Sequence, residues 1–281
     1  MTNITGHTRI FGILADPIHH VKTPQGINRL LDAHGFDGVM VPIHVSAGHL
    51  ADMVQGLRRM NNLGGFVVTV PHKTAMPALC DELTPAAARI GAVNVVRRTA
   101  DGRFVGGMLD GEGFVAGLRG AGIEPAGRSA YLAGAGGAAS AIAYALAQCG
   151  VARLTVANRT TAKAEELVAR LKEDFPHLSI AVGADDPSHH DLVVNGTSLG
   201  LRDGDALPLD VDRLTPEQTV AEIIMQPAET PLLRAAAAKG CRVHFGAPML
   251  ASQVALMAEF MGGPAAKAPT QDAQPTEAQR P

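Results

Sequence analysis

A lysine follows an apolar, strand-like run in the first half of the sequence. In FVVTVPHKTA, residues 66–75, five consecutive β-forming residues end at Val70, and Pro71, His72 and Lys73 come next. No acidic residue close behind would neutralise the ammonium of Lys73. A positioned amine can exchange a proton with a reacting hydroxyl and stabilise an alkoxide. Lys73 is therefore a candidate for proton transfer, and the alternative is a lysine that merely caps the end of a strand.

A glycine-rich turn lies in the second half. AGAGGAA supplies Gly134-x-Gly136-x-x-Ala139 after a strand-like run and at the start of a helical pattern. In this context the first glycine makes a tight turn, the second lets a pyrophosphate approach the backbone, and the third small residue lets helix and strand pack closely. The helix N-terminus then faces the phosphates. The motif predicts a dinucleotide site.

The end of the next strand indicates which dinucleotide binds. An NAD site usually has an acidic residue there for the ribose 2′-hydroxyl, whereas a 2′-phosphate needs a cation. The sequence ANRTTAK places Asn158 and Arg159 at this position, with Lys163 four residues after Arg159. A guanidinium and an ammonium could share one phosphate. NADP is therefore predicted, and the alternative for Arg159 is an ordinary solvated charge.

The composition favours small-molecule partners. The 281 residues carry a net charge of −3 at a pI near 6.4, so no basic surface calls for nucleic acid. The sequence has no Trp and two Tyr, which disfavours stacked-base recognition. No segment resembles a lipid-spanning helix, so no membrane is expected. The N-terminus shows no export signal, which predicts a cytoplasmic protein. We expect a monomer or a homodimer.

The cysteines and histidines indicate neither disulfides nor a metal site. Cys80, Cys149 and Cys241 are odd in number and widely spaced, and we interpret them as reduced core residues. His189 and His190 stand in a loop far from any carboxylate cluster. No metal is predicted.

Strand-like runs alternate with helical patterns along most of the chain, which predicts an α/β fold with mostly parallel sheets. The first helix is expected after Thr23 as N-cap, with Pro24 at its first position. We predict an open, mostly parallel N-terminal sheet domain and a Rossmann-type NADP-binding domain with a cleft between them. The expected bounds are 1–108 with a returning helix at 247–263, then 109–246, and a disordered tail at 264–281.

The chain resembles the shikimate/quinate dehydrogenase family over residues 9–262. The resemblance rests on ILADPIHHVKTP, VTVPHK, GAVNVV, LDGEGF, AGAGGAASA, NRT, NGTSLG, PAETPLL and GAPMLASQ, which occur in the family's order. It implies a two-domain enzyme that binds its substrate in the cleft. The reaction implied is reversible hydride transfer between NADP(H) and the 3-hydroxyl or 3-keto group of shikimate or 3-dehydroshikimate.

The resemblance also implies roles for individual residues. Lys73 and Asp110 match the pair that acts on the reacting hydroxyl, and Thr69, Asn94 and Gln253 match residues that bind the ring hydroxyls. Val21, Thr23 and Met225 also fall at substrate-binding positions. The cofactor residues implied are Gly134, Gly136, Gly137, Ala138, Asn158, Arg159, Thr160, Lys163, Thr197, Ser198 and Gly246.

The chain departs from the family where the substrate carboxylate is expected. The family's S-x-S segment is replaced by Val21 and Thr23, and one hydroxyl donor is therefore lost. A hydrogen bond to a charged group contributes about 1.5–3 kcal/mol, so this loss weakens acid binding about tenfold to a hundredfold unless another donor replaces it. Val67, Leu109 and Met225 also replace polar family residues. The reaction type is thus better supported than the substrate.

Three alternatives stay open. The substrate could be quinate, because some quinate-oxidising relatives resemble this chain in carrying threonine at the position of Thr23. It could be a different, less polar cyclic alcohol, given the apolar replacements. The chain could also be a non-catalytic NADP-binding regulatory module, in which Lys73→Ala would not affect turnover.

Overall fold

The computed structural model describes residues 3–19 and 21–265. The predicted disordered tail lies outside this part of the chain from residue 266 onward. The fold is α/β and consists of two six-stranded sheets flanked by helices, which confirms the predicted class. No helix in the described ranges is both long and apolar enough to cross a bilayer.

The first sheet is mixed and has the order β2-β1-β3-β5-β6-β4. Its strands are β1 (Arg9–Ala15), β2 (Gly38–His44), β3 (Leu63–Val68), β4 (Glu82–Leu83), β5 (Val95–Arg98) and β6 (Phe104–Gly107). β1 pairs in parallel with β2 and β3, whereas β5 runs antiparallel to β3 and β6. Every residue of β3 is buried, as expected for a strand covered on both faces.

The second sheet is entirely parallel and has the order β12-β11-β10-β7-β8-β9. Its strands are β7 (Ser129–Ala133), β8 (Arg153–Ala157), β9 (Ser179–Gly183), β10 (Leu192–Asn195), β11 (Thr219–Glu222) and β12 (Arg242–His244). The strand order reverses between β7 and β10. In open α/β sheets, ligands bind outside the carboxyl ends of the strands at this switch point.

The helices cover both sheets. They are α1 (Thr23–Ala33), α2 (Leu50–Arg58), α3 (Pro85–Ile90), α4 (Asp110–Gly120), α5 (Gly137–Gln148), α6 (Thr161–Asp174), α7 (Pro231–Ala238) and α8 (Ala247–Phe260). α8 packs against α1 and β5 of the first half and against α4, which also packs on α5. An ion pair joins Arg89 of α3 to Glu173 of α6, with 3.0 Å between Nη1 and Oε2. Helices thus connect the two sheets.

The start of the first helix differs from the prediction. Lys22 occupies the cap position and Thr23 is the first helical residue, with no side-chain capping bond. The side chain of Thr23 is buried, so the N-cap assignment is wrong. Pro24 falls at the second helical position, where a missing N–H is still tolerated because the first turn has no intrahelical acceptor for it.

Two strands of the second sheet end earlier than the apolar runs in the sequence. The runs DLVVNGTS and QTVAEIIM predict strands through Ser198 and Met225, but β10 ends at Asn195 and β11 ends at Glu222. The N–H of Thr197 donates to Oδ1 of Asn195, and the N–H of Ile223 donates to Oε1 of Glu222. Because these side chains take backbone donors that would otherwise continue the ladder, the chain leaves the sheet at both points.

Candidate active site

Lys73 lies in a short 3₁₀ turn, His72–Thr74, just beyond β3. Two hydrogen bonds fix this turn: the N–H of Val93 donates to the carbonyl of Lys73 at 2.9 Å, and Nε2 of His72 donates to the carbonyl of Val45 at 2.8 Å. The ammonium of Lys73 donates to Oδ2 of Asp110 at 2.8 Å. Its side chain is 28 % exposed. An ammonium has three protons, so Lys73 can still donate to a ligand.

Asp110 is the first residue of α4 and is buried. Its second oxygen, Oδ1, accepts hydrogen bonds from Nδ2 of Asn94 at 2.7 Å and from Nε2 of Gln253 at 2.9 Å. The position at a helix N-terminus also favours a negative charge. Both oxygens of the carboxylate are therefore hydrogen-bonded, which holds it in one orientation against Lys73.

Asn94 and Gln253 thus contact the carboxylate directly. Asn94 is completely buried, and its Oδ1 accepts the N–H of Leu109, the residue before the helix, at 2.9 Å. Gln253 reaches Asp110 from α8. The predicted role of both amides as ligands of ring hydroxyls stays a prediction. The structure adds an orienting contact to Asp110 that the sequence motifs do not reveal.

The pair of Lys73 and Asp110 lies close to the helix that follows the glycine turn. Gly111, next to Asp110, packs against α5 so tightly that a Cβ there would lie 2.1 Å from the carbonyl oxygen of Ala141. On the same helix, a Cβ at Gly113 would lie 2.2 Å from Cγ of Gln253. α4 is therefore held between α5 and α8, with the carboxylate at its start.

The residues at the expected carboxylate end of the substrate are largely buried. Val67 and Leu109 belong to one apolar cluster with Phe11 and Ile13, and Val21 packs against this cluster. Their side chains therefore have apolar neighbours. Thr23 is buried at the start of α1, Thr69 is half-buried, and Met225 is exposed.

The glycine turn joins β7 to α5. Gly134 has φ +114°, and a Cβ there would lie 3.0 Å from the backbone of Gly196, so a side chain at this position would be strained and crowded. Gly136 and Gly137 are exposed, and a Cβ on either would have no neighbour within 4 Å. The N-terminus of the 12-residue α5 thus has open space in front of it, which fits a pyrophosphate. Ala138 is half-buried beside it.

The residues expected at the 2′-phosphate surround the carboxyl end of β8. Arg159, Thr160 and Lys163 are exposed, and neither cation has an ion-pair partner within residues 3–19 and 21–265. Asn158 donates from Nδ2 to the carbonyl of Thr160 at 2.9 Å, which shapes the loop before α6. Two free cations beside an open helix terminus are a donor set that fits a phosphorylated ribose.

The remaining predicted cofactor residues lie on neighbouring loops. Thr197 and Ser198 follow β10, and Gly246 precedes α8. Between them lies Glu222, a completely buried acid that the motif analysis does not single out. Burial raises the pKa of Glu222, while hydrogen bonds from Asn195 and the backbone act in the opposite direction. The only signal in the sequence is an acidic residue that ends the apolar run TVAE.

Within the described ranges, no group of three His, Cys, Asp or Glu side chains is arranged to hold a metal ion. His190, half of the pair in the loop before β10, packs instead on Tyr131 and hydrogen-bonds through Nε2 to Thr155 at 2.8 Å. The cysteines are all free.

The sequence matches two family models. Residues 13–96 match the shikimate dehydrogenase substrate binding domain, and residues 122–198 match shikimate / quinate 5-dehydrogenase. The first range contains Lys73 and Asn94, and the second contains the glycine turn.

Relatives match along nearly the whole chain. The shikimate dehydrogenase (NADP(+)) of Geobacter metallireducens is 41 % identical over 264 residues, 89 % of this chain and 90 % of the relative. Among solved structures, shikimate 5-dehydrogenase from Thermus thermophilus in complex with NADP(H) and shikimate has a TM-score of 0.83 at 33 % identity, covering 92 % of this chain and 95 % of the other. The ligand-free 5-ketofructose reductase of Gluconobacter sp. has a TM-score of 0.85 at 33 % identity, with the same coverages. This chain belongs to the shikimate/quinate dehydrogenase family.

Proposed function

We propose that the protein is an NADP-dependent dehydrogenase. The reaction is reversible hydride transfer between NADP(H) and the 3-hydroxyl or 3-keto group of shikimate, 3-dehydroshikimate or a close analogue. The observation that carries the proposal is the contact between Lys73 and Asp110, at the junction of the substrate half with the helix that follows the glycine turn. An ammonium paired with a buried carboxylate is an arrangement suited to proton exchange with a hydroxyl.

The chemistry divides between cofactor and protein. Bound at the glycine turn of Gly134 and Gly136, NADP would supply the hydride acceptor for the carbinol carbon, and NADPH the hydride donor for the ketone. For oxidation, the Lys73–Asp110 pair must start one proton short of its fully protonated form, so that it can take the hydroxyl proton as the C–H bond breaks. In the reverse reaction the fully protonated pair gives that proton to the ketone oxygen. Asp110 orients the amine, and Asn94 and Gln253 orient Asp110. Lys73 also stabilises negative charge on the oxygen during the transfer.

Exposed cations support NADP rather than NAD as the cofactor. Arg159 and Lys163 provide two positive charges at the carboxyl end of β8, where an NAD site usually has an acid. The relative from Geobacter metallireducens carries NADP(+) in its name. The open N-terminus of α5 would hold the pyrophosphate, and Thr197, Ser198 and Gly246 would border the rest of the cofactor.

Shikimate is the first substrate to test because named shikimate dehydrogenases match most of the chain. A second candidate is a polyhydroxy ketone without a carboxylate. It is favoured by the apolar packing of Val21, Val67 and Leu109 and by the similarity to 5-ketofructose reductase. Quinate, which carries the carboxylate, is the third.

A substrate panel separates these candidates. NADP reduction is measured with shikimate and quinate, and NADPH oxidation with 3-dehydroshikimate and 5-ketofructose, at one protein concentration. The proposal expects the highest kcat/KM with shikimate and 3-dehydroshikimate. The highest value with the ketose would replace the substrate assignment by the second candidate. No turnover with any compound would overturn the proposed function.

The domain division, location and assembly are further parts of the proposal. The packing of α8 on α1 and β5 supports residues 1–108 with 247–263 as one domain and 109–246 as the other. Free cysteines are compatible with a reducing, cytoplasmic environment. Limited proteolysis between the domains, cell fractionation, and sedimentation to distinguish monomer from homodimer test these three points.

A further inference from the structure

Glu222 is a buried carboxylate whose two oxygens each accept two hydrogen bonds. It has no exposed surface. Oε1 accepts the backbone N–H groups of Ile223 and Ile224 at 2.9 and 3.2 Å. Oε2 accepts Nδ2 of Asn195 at 2.9 Å and Oγ1 of Thr230 at 3.1 Å. Because every partner is a donor, the geometry requires an acceptor at both oxygens, and carboxylate is the side-chain group that supplies this.

On one side, the network reaches the glycine turn. Oδ1 of Asn195 accepts the N–H and the hydroxyl of Thr197 at 3.0 and 2.7 Å, which fixes the loop after β10. This loop touches the turn directly, since a Cβ at Gly134 would lie 3.0 Å from the backbone of Gly196 and 3.2 Å from Cγ2 of Thr197. A shift of Asn195 would therefore move the wall of the predicted pyrophosphate site.

On the other side, the network reaches the catalytic carboxylate. The segment whose N–H groups bind Glu222 lies against Gly246, where a Cβ would come within 2.4 Å of the carbonyl oxygen of Ile224. α8 starts at the next residue, and it carries Gln253, whose amide donates to Asp110 at 2.9 Å. The same carboxylate thus sets the loop from which the helix bearing Gln253 begins.

We propose that Glu222 is a positioning residue for NADP. It holds the loop after β10 and the segment after β11 in one arrangement, so that both contact the cofactor when it binds at the glycine turn. The inference rests on the proposed function, because it takes the glycine turn as the cofactor site. Glu222 touches neither the turn nor Lys73, and it acts through Asn195, Thr197 and Gly246.

Glu222→Gln is the direct test because it keeps the size of the side chain. A glutamine amide has one acceptor oxygen and one donor nitrogen, so the nitrogen must face Asn195 and Thr230 or the two backbone N–H groups. The Kd for NADP, from titration of the full chain, is expected to rise about tenfold or more, since about 1.4 kcal/mol corresponds to tenfold. The KM for shikimate at saturating NADP is expected to change less than the Kd for NADP, because α8 is also held in place by its packing on α4 and α1. Glu229→Gln, an exposed acid in the same segment, is the matched control and should bind NADP like the wild type.

Thr230→Val and Thr230→Ser keep the test valid if Glu222→Gln does not fold. Thr230→Val removes one donor to Glu222 and should raise the Kd for NADP several-fold. Thr230→Ser keeps the hydroxyl and should bind NADP with the wild-type Kd. Melting temperatures of all variants are measured in parallel. Variants that melt earlier but bind NADP with the wild-type Kd would overturn the inference alone. A wild-type protein that binds no NADP would overturn the proposed function and this inference with it.

Discussion

The ammonium of Lys73 lies 2.8 Å from Oδ2 of Asp110, although 37 positions separate the two residues in the chain. Lys73 comes from the turn after β3, and Asp110 starts the helix that packs between α5 and α8. The pair therefore forms only when the first sheet and the connecting helices are assembled. Its carboxylate is held by Asn94 and Gln253, so the geometry of the pair depends on side chains from two further segments.

Replacing Asn94 by alanine should destabilise the protein. The substitution removes a donor to Asp110 and leaves the N–H of Leu109 without its acceptor, in a completely buried place. A lost charge-assisted bond and an unsatisfied backbone donor together cost roughly 2–5 kcal/mol. Urea denaturation measures the change. Asn61→Ala, at an exposed site, should stay within about 0.5 kcal/mol of the wild type, and an equal loss in both variants would contradict the account.

Arg159→Ala should change the choice of cofactor. If Arg159 binds the 2′-phosphate, its loss removes a charge-assisted hydrogen bond of about 1.5–3 kcal/mol and raises the KM for NADP about tenfold to a hundredfold. The KM for NAD, which lacks this phosphate, should hardly change. Steady-state kinetics with both cofactors measure the ratio. Arg213→Ala serves as the control because Arg213 is exposed and paired with Asp210. A variant that keeps the wild-type preference would place the 2′-phosphate elsewhere.

The second sheet should lose stability as the solution becomes mildly acidic. Burial lowers the pKa of His190 and of His244 below the ordinary value of 6.5. Just below pH 6.5 the unfolded chain then binds protons more readily than the folded one. The stability that the two neutral histidines give the folded state is therefore complete above pH 6.5 and is lost as the pH falls. His190→Gln should cost about 1–3 kcal/mol at pH 7.5, because it disturbs the bond to Thr155.

Comparing wild type with His190→Gln separates the effect of His190 on stability from that of buried acids such as Glu222. The pH dependence that such an acid contributes has the opposite sign. Burial raises the pKa of Glu222, so this residue favours folding as the pH falls. The difference in unfolding free energy between the two proteins should therefore narrow between pH 7 and pH 5.5. A difference that stays constant or widens over this interval would contradict the assignment of a neutral, buried His190.

Sequence patterns with a strong local cause predict this fold well. The glycine turn, the strand before it and the helix after it occur where the motif requires them, because φ at Gly134 and the open approach to Gly136 are local demands. The strand Ser179–Gly183 is hard to predict, because its apolar alternation is limited to Ile180 and Val182 and most of its residues are partly or fully exposed. The short helix Pro85–Ile90 is also hard to predict, because its six residues are too few to show a helical apolar period, although Thr84 caps it.

Local sequence patterns do not predict the environment of residues whose role depends on tertiary neighbours. Val67 and Leu109 look like lost hydrogen-bonding groups in the sequence, but both are packed in an apolar cluster. Thr23 has a residue type that is common at the N-cap, but its side chain is buried and Lys22 occupies the cap position. Nothing in the sequence distinguishes Glu222 from the other acids. The structure does, because Asn195 and Thr230 both donate hydrogen bonds to it.

Turnover by Lys73→Ala, measured alongside its Kd for NADP, tests the central claim most directly. Lys172→Ala, an exposed lysine on α6, is the control. The account predicts that Lys73→Ala loses at least about a hundredfold in kcat with shikimate, while its Kd for NADP stays within about twofold of the wild type. Wild-type turnover in Lys73→Ala would contradict it, because the pair of Lys73 and Asp110 would then take no part in the reaction.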